Sequence, residues 1–244
     1  MSSKSIVVVQ MGLPPRDLVT RQGEPADWFA RALGLKRTDL QVVHPERGDA
    51  LPSADSFAVA LVTGSWSMVT DRLDWSERTA VWLRGLIEAG KPLLGVCYGH
   101  QLMAHAMGGR VDDNPLGREQ GTFPVTLTPA GRLDPLAGTL PSPFLAHLSH
   151  AQSVLELPAG AVVLAGTAHD PHQILRYGPD TWSCQFHPEF TVDILRLCLA
   201  GHRRRSGERP GRVSDPADVR DTPLTRGLLR RFVAEHAVLQ PEPS

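Results

Sequence analysis

Short runs of branched apolar residues alternate along the first hundred positions with stretches in which apolar residues recur every three or four. IVVVQ, Ile6–Gln10, reads as the first strand, Pro25–Leu35 as a helix, Leu40–Val43 as a short second strand and FAVALV, Phe57–Val62, as the third. The spacing over Asp74–Ala89 predicts a longer helix with Trp75, Val81, Trp82, Leu86 and Ile87 on or near one face, stopping at Gly90. Pro92–Cys97 is the fourth strand, and a helix over His100–Met107 ends at Gly108 and Gly109. Strands that are apolar throughout, alternating with helices, predict a largely parallel sheet buried between helical layers.

The second half changes character. Phe123–Thr128, Ser153–Leu157, Val162–Thr167, Gln173–Tyr177 and Thr181–Phe186 read as strands with turn-rich joints, for which antiparallel pairing is expected. HRRRSGERPGRVSDP, His202–Pro216, reads as a solvated connector rather than a basic patch, and a last helix is expected near Pro223–Glu235.

The chain has 244 residues, 41% of them hydrophobic, enough for a sizeable core. Its 25 basic and 26 acidic side chains nearly cancel and gather into no long block of one sign, which argues against a nucleic-acid footprint. No apolar run approaches the ~18 residues of a membrane span, and MSSKSIVVVQMG lacks the pattern of a secretory leader. Three cysteines, Cys97, Cys184 and Cys198, are too few for a disulfide framework. A cytoplasmic location is the expectation.

The chemistry starts at LLGVCYGHQLMAHAMGG, Leu93–Gly109, where one cysteine stands at the junction of a strand and a helix with a glycine two residues to either side. A nucleophile there sits at the tip of a sharp turn, and the flanking glycines let neighbouring backbone approach without a Cβ clash. The N–H groups that follow, at the positive end of the helix, favour the thiolate and can stabilise an oxyanion. A thiolate needs a base that also donates a proton to the leaving group. In CQFHPEF, Cys184–Phe190, Pro188 favours an extended His187, and residues two apart in an extended chain point the same way, so Glu189 can orient the imidazole. Cys184 and Cys198 read as buried apolar positions, Trp75 and Trp82 as packing residues and His105 as structural. His147 with His150, His169 with His172, and Cys184 with His187 have spacings that suit a metal, but no second Cys/His pair completes a zinc signature. No metal is expected.

GVCYGHQ with a downstream HPE resembles the class I, or triad, glutamine amidotransferases, and the resemblance runs from about Ile6 to Leu199. It implies an α/β fold of three layers, with a flavodoxin-like, largely parallel central sheet and additional antiparallel strands. It implies a catalytic domain over 1–200, with 201–244 forming a loop and C-terminal helix packed on that domain. By position, Cys97 is the nucleophile, His187 the acid/base, Glu189 its orienter, and Gln101 lines the substrate pocket. VTGSWSMV, Val62–Val69, matches the loop that donates one oxyanion N–H, from Gly64, the other coming from Tyr98; a plain strand-ending turn is the other reading of Gly64. The family's further glycine and proline are here Ser65, Trp66 and Ser67. LSHAQSV, Leu148–Val154, resembles the S-H-G-D stretch whose backbone holds the substrate's α-amino and carboxylate groups, which makes His150, Ala151 and Gln152 binding candidates, although Ala151 and Gln152 depart from the pattern.

The implied activity is hydrolysis of the glutamine side-chain amide through a γ-glutamyl thioester, without a cofactor. The resemblance leaves the acceptor open: no P-loop appears and the stretch after Leu199 is too short for an ATP-dependent synthetase, so a separate synthetase subunit is the expected partner. A stand-alone γ-glutamyl peptidase is the second reading. A non-catalytic scaffold on the same fold is the third, and the intact Cys97, His187 and Glu189 weigh against it.

Overall fold

The computed structural model describes residues 5–203 and 211–237. Its central sheet begins with β1 (Ser5–Val9), β2 (Leu40–Val43), β3 (Phe57–Val62) and β4 (Leu93–Val96). The fifth member of the parallel set is β11 (Thr181–Cys184), and the order across it is β2-β1-β3-β4-β11. That is the doubly wound order of flavodoxin-like sheets. The sheet continues in antiparallel fashion through β10 (Ile174–Gly178), β9 (Val162–Gly166) and β6 (Glu119–Leu127), which also carries β7 (Phe144–His150). A separate ribbon pairs β5 (Arg110–Asp113) with β8 (Gln152–Glu156). The expectation of antiparallel pairing throughout the second half is corrected at β11, which lies parallel to β4 with Val96 opposite Cys184.

Alternation along β1 builds the layers. Val7 and Val9 face α3 (Asp74–Glu88) and α4 (Tyr98–Ala106), where Leu83, Leu86, Leu102 and Met103 complete a buried cluster. Ile6 and Val8 face the other way, toward Phe29 of α2 (Pro25–Leu33) and Leu228 and Phe232 of α7 (Pro223–His236). α2 starts at a capping box, with the Glu24 N–H donating to Asp27 Oδ2 at 2.8 Å and Pro25 in the first turn. The buried face of α3 is Thr79, Ala80, Leu83, Leu86 and Ile87; Val81, expected on or near it, is 71% exposed because it falls on the opposite side of the turn.

A third apolar cluster is separate from these two. It joins Leu18 of α1 (Arg16–Gln22), Trp28, Phe190, and Ile194, Leu195 and Leu199 of α6 (Val192–Arg203). The expected connector takes regular form near its two ends, where α6 reaches Arg203 and β12 (Arg212–Val213) pairs parallel with β6; residues 204–210 of that connector lie outside the described residues. α5 (Pro129–Leu133) follows β6. No helix among the described residues is long and apolar enough to cross a membrane.

Candidate active site

Cys97 stands alone between β4 and α4, at φ 52° and ψ −101°, a conformation that side-chain-bearing residues rarely adopt. The flanking glycines explain how so tight a turn packs. A Cβ on Gly95 would lie 2.5 Å from Met103 Sδ and 2.8 Å from the Gly99 carbonyl carbon, and one on Gly99 would lie 2.7 Å from the Val62 carbonyl oxygen. The α4 backbone is therefore pressed against β3 and β4. Tyr98 opens α4, where N–H groups have no partner within the helix. Its ring is buried, stacked on Trp75 at 6.1 Å, and its hydroxyl shares a 2.6 Å hydrogen bond with Ser76 Oγ.

Because β11 is the parallel neighbour of β4, the chain after Cys184 leaves the sheet at the same edge as Cys97. Two backbone bonds hold this arrangement: the Cys97 N–H donates to the Cys184 carbonyl and the His187 N–H to the His147 carbonyl, both at 2.8 Å. His187 Nδ1 lies 2.7 Å from Glu189 Oε1, with both side chains almost wholly buried. Burial is the largest influence on His187 and works against its charge, but Glu189 and then Cys97 together outweigh it and lift the pKa to about 10. The imidazole stacks on Phe190 with ring centroids 3.8 Å apart. His147, by contrast, is driven down to about 4, by burial first and then by the charge of His187.

Gly64 lies against both groups: a Cβ there would be 2.9 Å from His187 Cε1 and 3.6 Å from Cys97 Cβ. The Ser65–Ser67 turn is tied by the Ser67 N–H donating to Ser65 Oγ at 3.1 Å. Cys97 Sγ makes a long 3.8 Å contact with the Ser149 carbonyl.

All nine residues singled out in the sequence, Cys97, His187, Glu189, Gly64, Tyr98, Gln101, His150, Ala151 and Gln152, line one cavity of about 340 Å³. They contribute to it in different ways. Gln101 Nε2 donates to the Gln152 carbonyl at 2.7 Å and to Gln185 Oε1 at 3.0 Å, so its amide is a fixed wall. The His150 ring is committed to the protein, with Nδ1 2.9 Å from the Gln152 carbonyl and Nε2 3.3 Å from Glu119 Oε2. Both ring nitrogens thus face acceptors. Burial opposes its charge, but the Glu119 hydrogen bond and the Asp170 and Glu119 charges raise its pKa overall. Gln152 Nε2 donates to Thr70 Oγ1 and Asp113 Oδ1, at 2.7 and 3.1 Å, while its buried Oε1 has no partner among the described residues.

The sequence reading missed several residues of the cavity. Gln120 lines it, and its buried Oε1 is likewise unpartnered among the described residues. Trp28, Phe190, Leu197 and Cys198 form an apolar wall. Cys198, expected to be buried, is partly exposed on α6 and borders the cavity. Only Phe190, adjacent to HPE, carried a usable signal.

This is a doubly wound α/β protein whose candidate site lies beyond the carboxyl ends of adjacent parallel strands. Residues 31–194 match the glutamine amidotransferase class-I family, and the chain belongs to that family. It is 38% identical over 189 residues to a glutamine-hydrolysing GMP synthase of Aeropyrum pernix, covering 78% of this chain and 33% of that protein. The chain thus spans about a third of that relative's length. It is 31% identical over 171 residues to the glutamine amidotransferase-like protein YfeJ of Salmonella typhimurium, covering 68% and 71%. A solved glutamine amidotransferase of Methylobacillus flagellatus superposes with a TM-score of 0.72 at 23% identity, covering 96% of this chain and 92% of the other; at that identity the likeness is one of fold.

Proposed function

We propose that this protein hydrolyses the side-chain amide of glutamine through a γ-glutamyl thioester on Cys97 and releases ammonia for use by a synthetase. What carries the reading is the meeting of Cys97 with the buried His187–Glu189 pair around Gly64 in a single cavity.

In this reading Cys97 Sγ, its proton already held by His187, attacks the γ-carbonyl carbon, and the oxyanion is met by the Gly64 and Tyr98 N–H groups. His187, charged at neutral pH, gives its proton to the departing nitrogen, and ammonia leaves as the C–N bond breaks. The now neutral His187 takes a proton from water as its oxygen attacks the thioester; the C–S bond breaks, glutamate leaves, and the starting pair of Cys97 sulfur and protonated His187 is restored. Glu189 holds the His187 tautomer and offsets its charge. Gln120 and Gln152, whose side-chain oxygens have no partner among the described residues, are assigned to the substrate's α-ammonium. The family membership and the glutamine-hydrolysing relative support the same substrate.

The test is ammonia and glutamate release from glutamine by the purified protein. Turnover in the wild type, reduced at least about 10³-fold in Cys97→Ala, is the expected result. Undiminished turnover in that variant contradicts the reading.

A further inference from the structure

His150 stands opposite Glu119 in the β6–β7 ladder, and Arg212 of β12 stands opposite Glu119 on its other side. Adjacent strands thus carry Arg212, Glu119 and His150 in one row, and Arg212 comes from beyond the residues 31–194 that match the family. Glu119 is wholly buried and accepts from three further groups: Oε1 from Arg212 Nη1 at 3.3 Å and Thr167 Oγ1 at 3.4 Å, and Oε2 from Gln173 Nε2 at 3.4 Å.

The His150 ring meets an acceptor at each nitrogen. Nε2 lies 3.3 Å from Glu119 Oε2, and Nδ1 lies 2.9 Å from the Gln152 carbonyl. Nδ1 also lies 3.9 Å from Asp170 Oδ2, a buried oxygen with no hydrogen-bond partner among the described residues. A neutral imidazole donates from one nitrogen and offers a lone pair at the other, so either neutral tautomer would turn that lone pair on an oxygen inside the protein. The doubly protonated ring satisfies both contacts. The surrounding charges agree, because Glu119 and Asp170 are set against His150 and Arg212, and Cys97 adds a further influence in favour of the charged ring. His100 of α4 also faces this group, but burial first of all pushes its pKa down to about 3, so it brings no opposing charge at neutral pH.

The Nδ1 contact reaches two residues along the chain and closes the corner between β7 and β8. The Gln152 carbonyl that it holds also accepts from Gln101 Nε2, and the Ser149 carbonyl on the other side of the corner touches Cys97 Sγ. Residues 149–152 all line the cavity. Burial of the His150 ring fits this part, since a clamp works from behind the wall that it holds.

We propose that His150 is a positioning residue, fixed as an imidazolium between Glu119 and Asp170, whose Nδ1–H clamps the corner 149–152 in the shape that receives glutamine. The part concerning glutamine rests on the thioester reading above; the charge of the ring does not.

The charge is read by nitrogen NMR of the wild-type ring from about pH 6 to about pH 9, with His150 assigned by through-bond correlation. Two protonated ring nitrogens across this range are expected. A neutral ring at neutral pH overturns the proposal. The clamp is read from kcat and KM for glutamine in the wild type, His150→Asn and His150→Gln. The asparagine amide nitrogen takes the place of Nδ1 and keeps the bond to the Gln152 carbonyl, whereas the longer glutamine amide reaches toward Glu119 and loses it. KM should rise about tenfold or more in His150→Gln and about threefold in His150→Asn, with kcat falling by less than KM rises in each. A rise that is equal in the two variants, as a purely structural part would give, overturns the clamp, and so does a loss confined to kcat. Where a variant fails to fold, the wild type decides: scalar coupling across a hydrogen bond from His150 Nδ1–H to the Gln152 carbonyl supports the clamp, and its absence overturns it. No turnover of glutamine by the wild type overturns the thioester reading and the clamp's part in it, while the ring nitrogens still decide the charge.

Discussion

His187 Nδ1 and Glu189 Oε1 lie 2.7 Å apart inside the protein, and that carboxylate is the strongest influence holding a proton on an imidazole that burial would otherwise strip. The pair is local in sequence, and its value lies in where β11 delivers it, beside Cys97.

The first consequence is a pH profile. His187 must be protonated when the leaving group departs, and its pKa is about 10, so kcat/KM should hold its alkaline limb near that value and fall above it. In Glu189→Gln burial is opposed only by Cys97. The limb should move down and kcat at pH 7 should drop about 10²–10⁴-fold. An alkaline limb in the same place in both proteins would contradict the role given to Glu189.

Stability carries the same signature. His187 has a folded pKa of about 10 against an unfolded value of about 6.5, so the native state binds the extra proton between these values. The pair's contribution is fully present below about pH 6.5 and is lost as pH rises through about 10. Urea midpoints at pH 6, 8 and 10 should show the wild type losing stability across this window relative to Glu189→Gln; parallel curves would contradict it.

Gly99→Ala tests the packing of the turn. Its Cβ would press on the Val62 carbonyl, which is sheet backbone and cannot swing aside. A loss of about 1–3 kcal/mol is expected from overpacking, read as a lower Tm. An unchanged Tm would mean that α4 has room to move.

Gln120→Leu removes a buried side-chain oxygen that has no partner among the described residues, on a residue that lines the cavity; Gln152 carries another. If these accept the α-ammonium of glutamine, KM should rise roughly 10-fold or more, as for loss of a hydrogen bond to a charged group. Glutaramate, which lacks that ammonium, should bind alike to both proteins. Equal losses for glutamine and glutaramate would assign Gln120 a purely structural part.

Much of this arrangement was legible because its signals are local. The apolar strands β1, β3 and β4 and the glycine-flanked cysteine announce themselves within a few residues. So does the His-Pro-Glu segment. The parallel placement of β11 was not legible, since Thr181–Cys184 looks like its antiparallel neighbours and its partner lies some ninety residues earlier. α1 was invisible because its short sequence buries only Leu18. The apolar end of the cavity was hidden for the same reason: Leu18, Trp28, Trp66 and Leu197 come from separate segments that only the fold brings together. Gln120 shows no pattern in sequence, because an unpartnered amide oxygen is a property of surroundings.

The central claim is that Cys97 forms the bond to a γ-glutamyl group. The most direct measurement is intact-mass analysis, followed by peptide mapping, after incubation with a glutamine-shaped electrophile. One adduct per chain, confined to Cys97, absent in Cys97→Ala and slowed by excess glutamine, is the expected result. No adduct, or labelling of Cys184 or Cys198 in its place, would contradict the account.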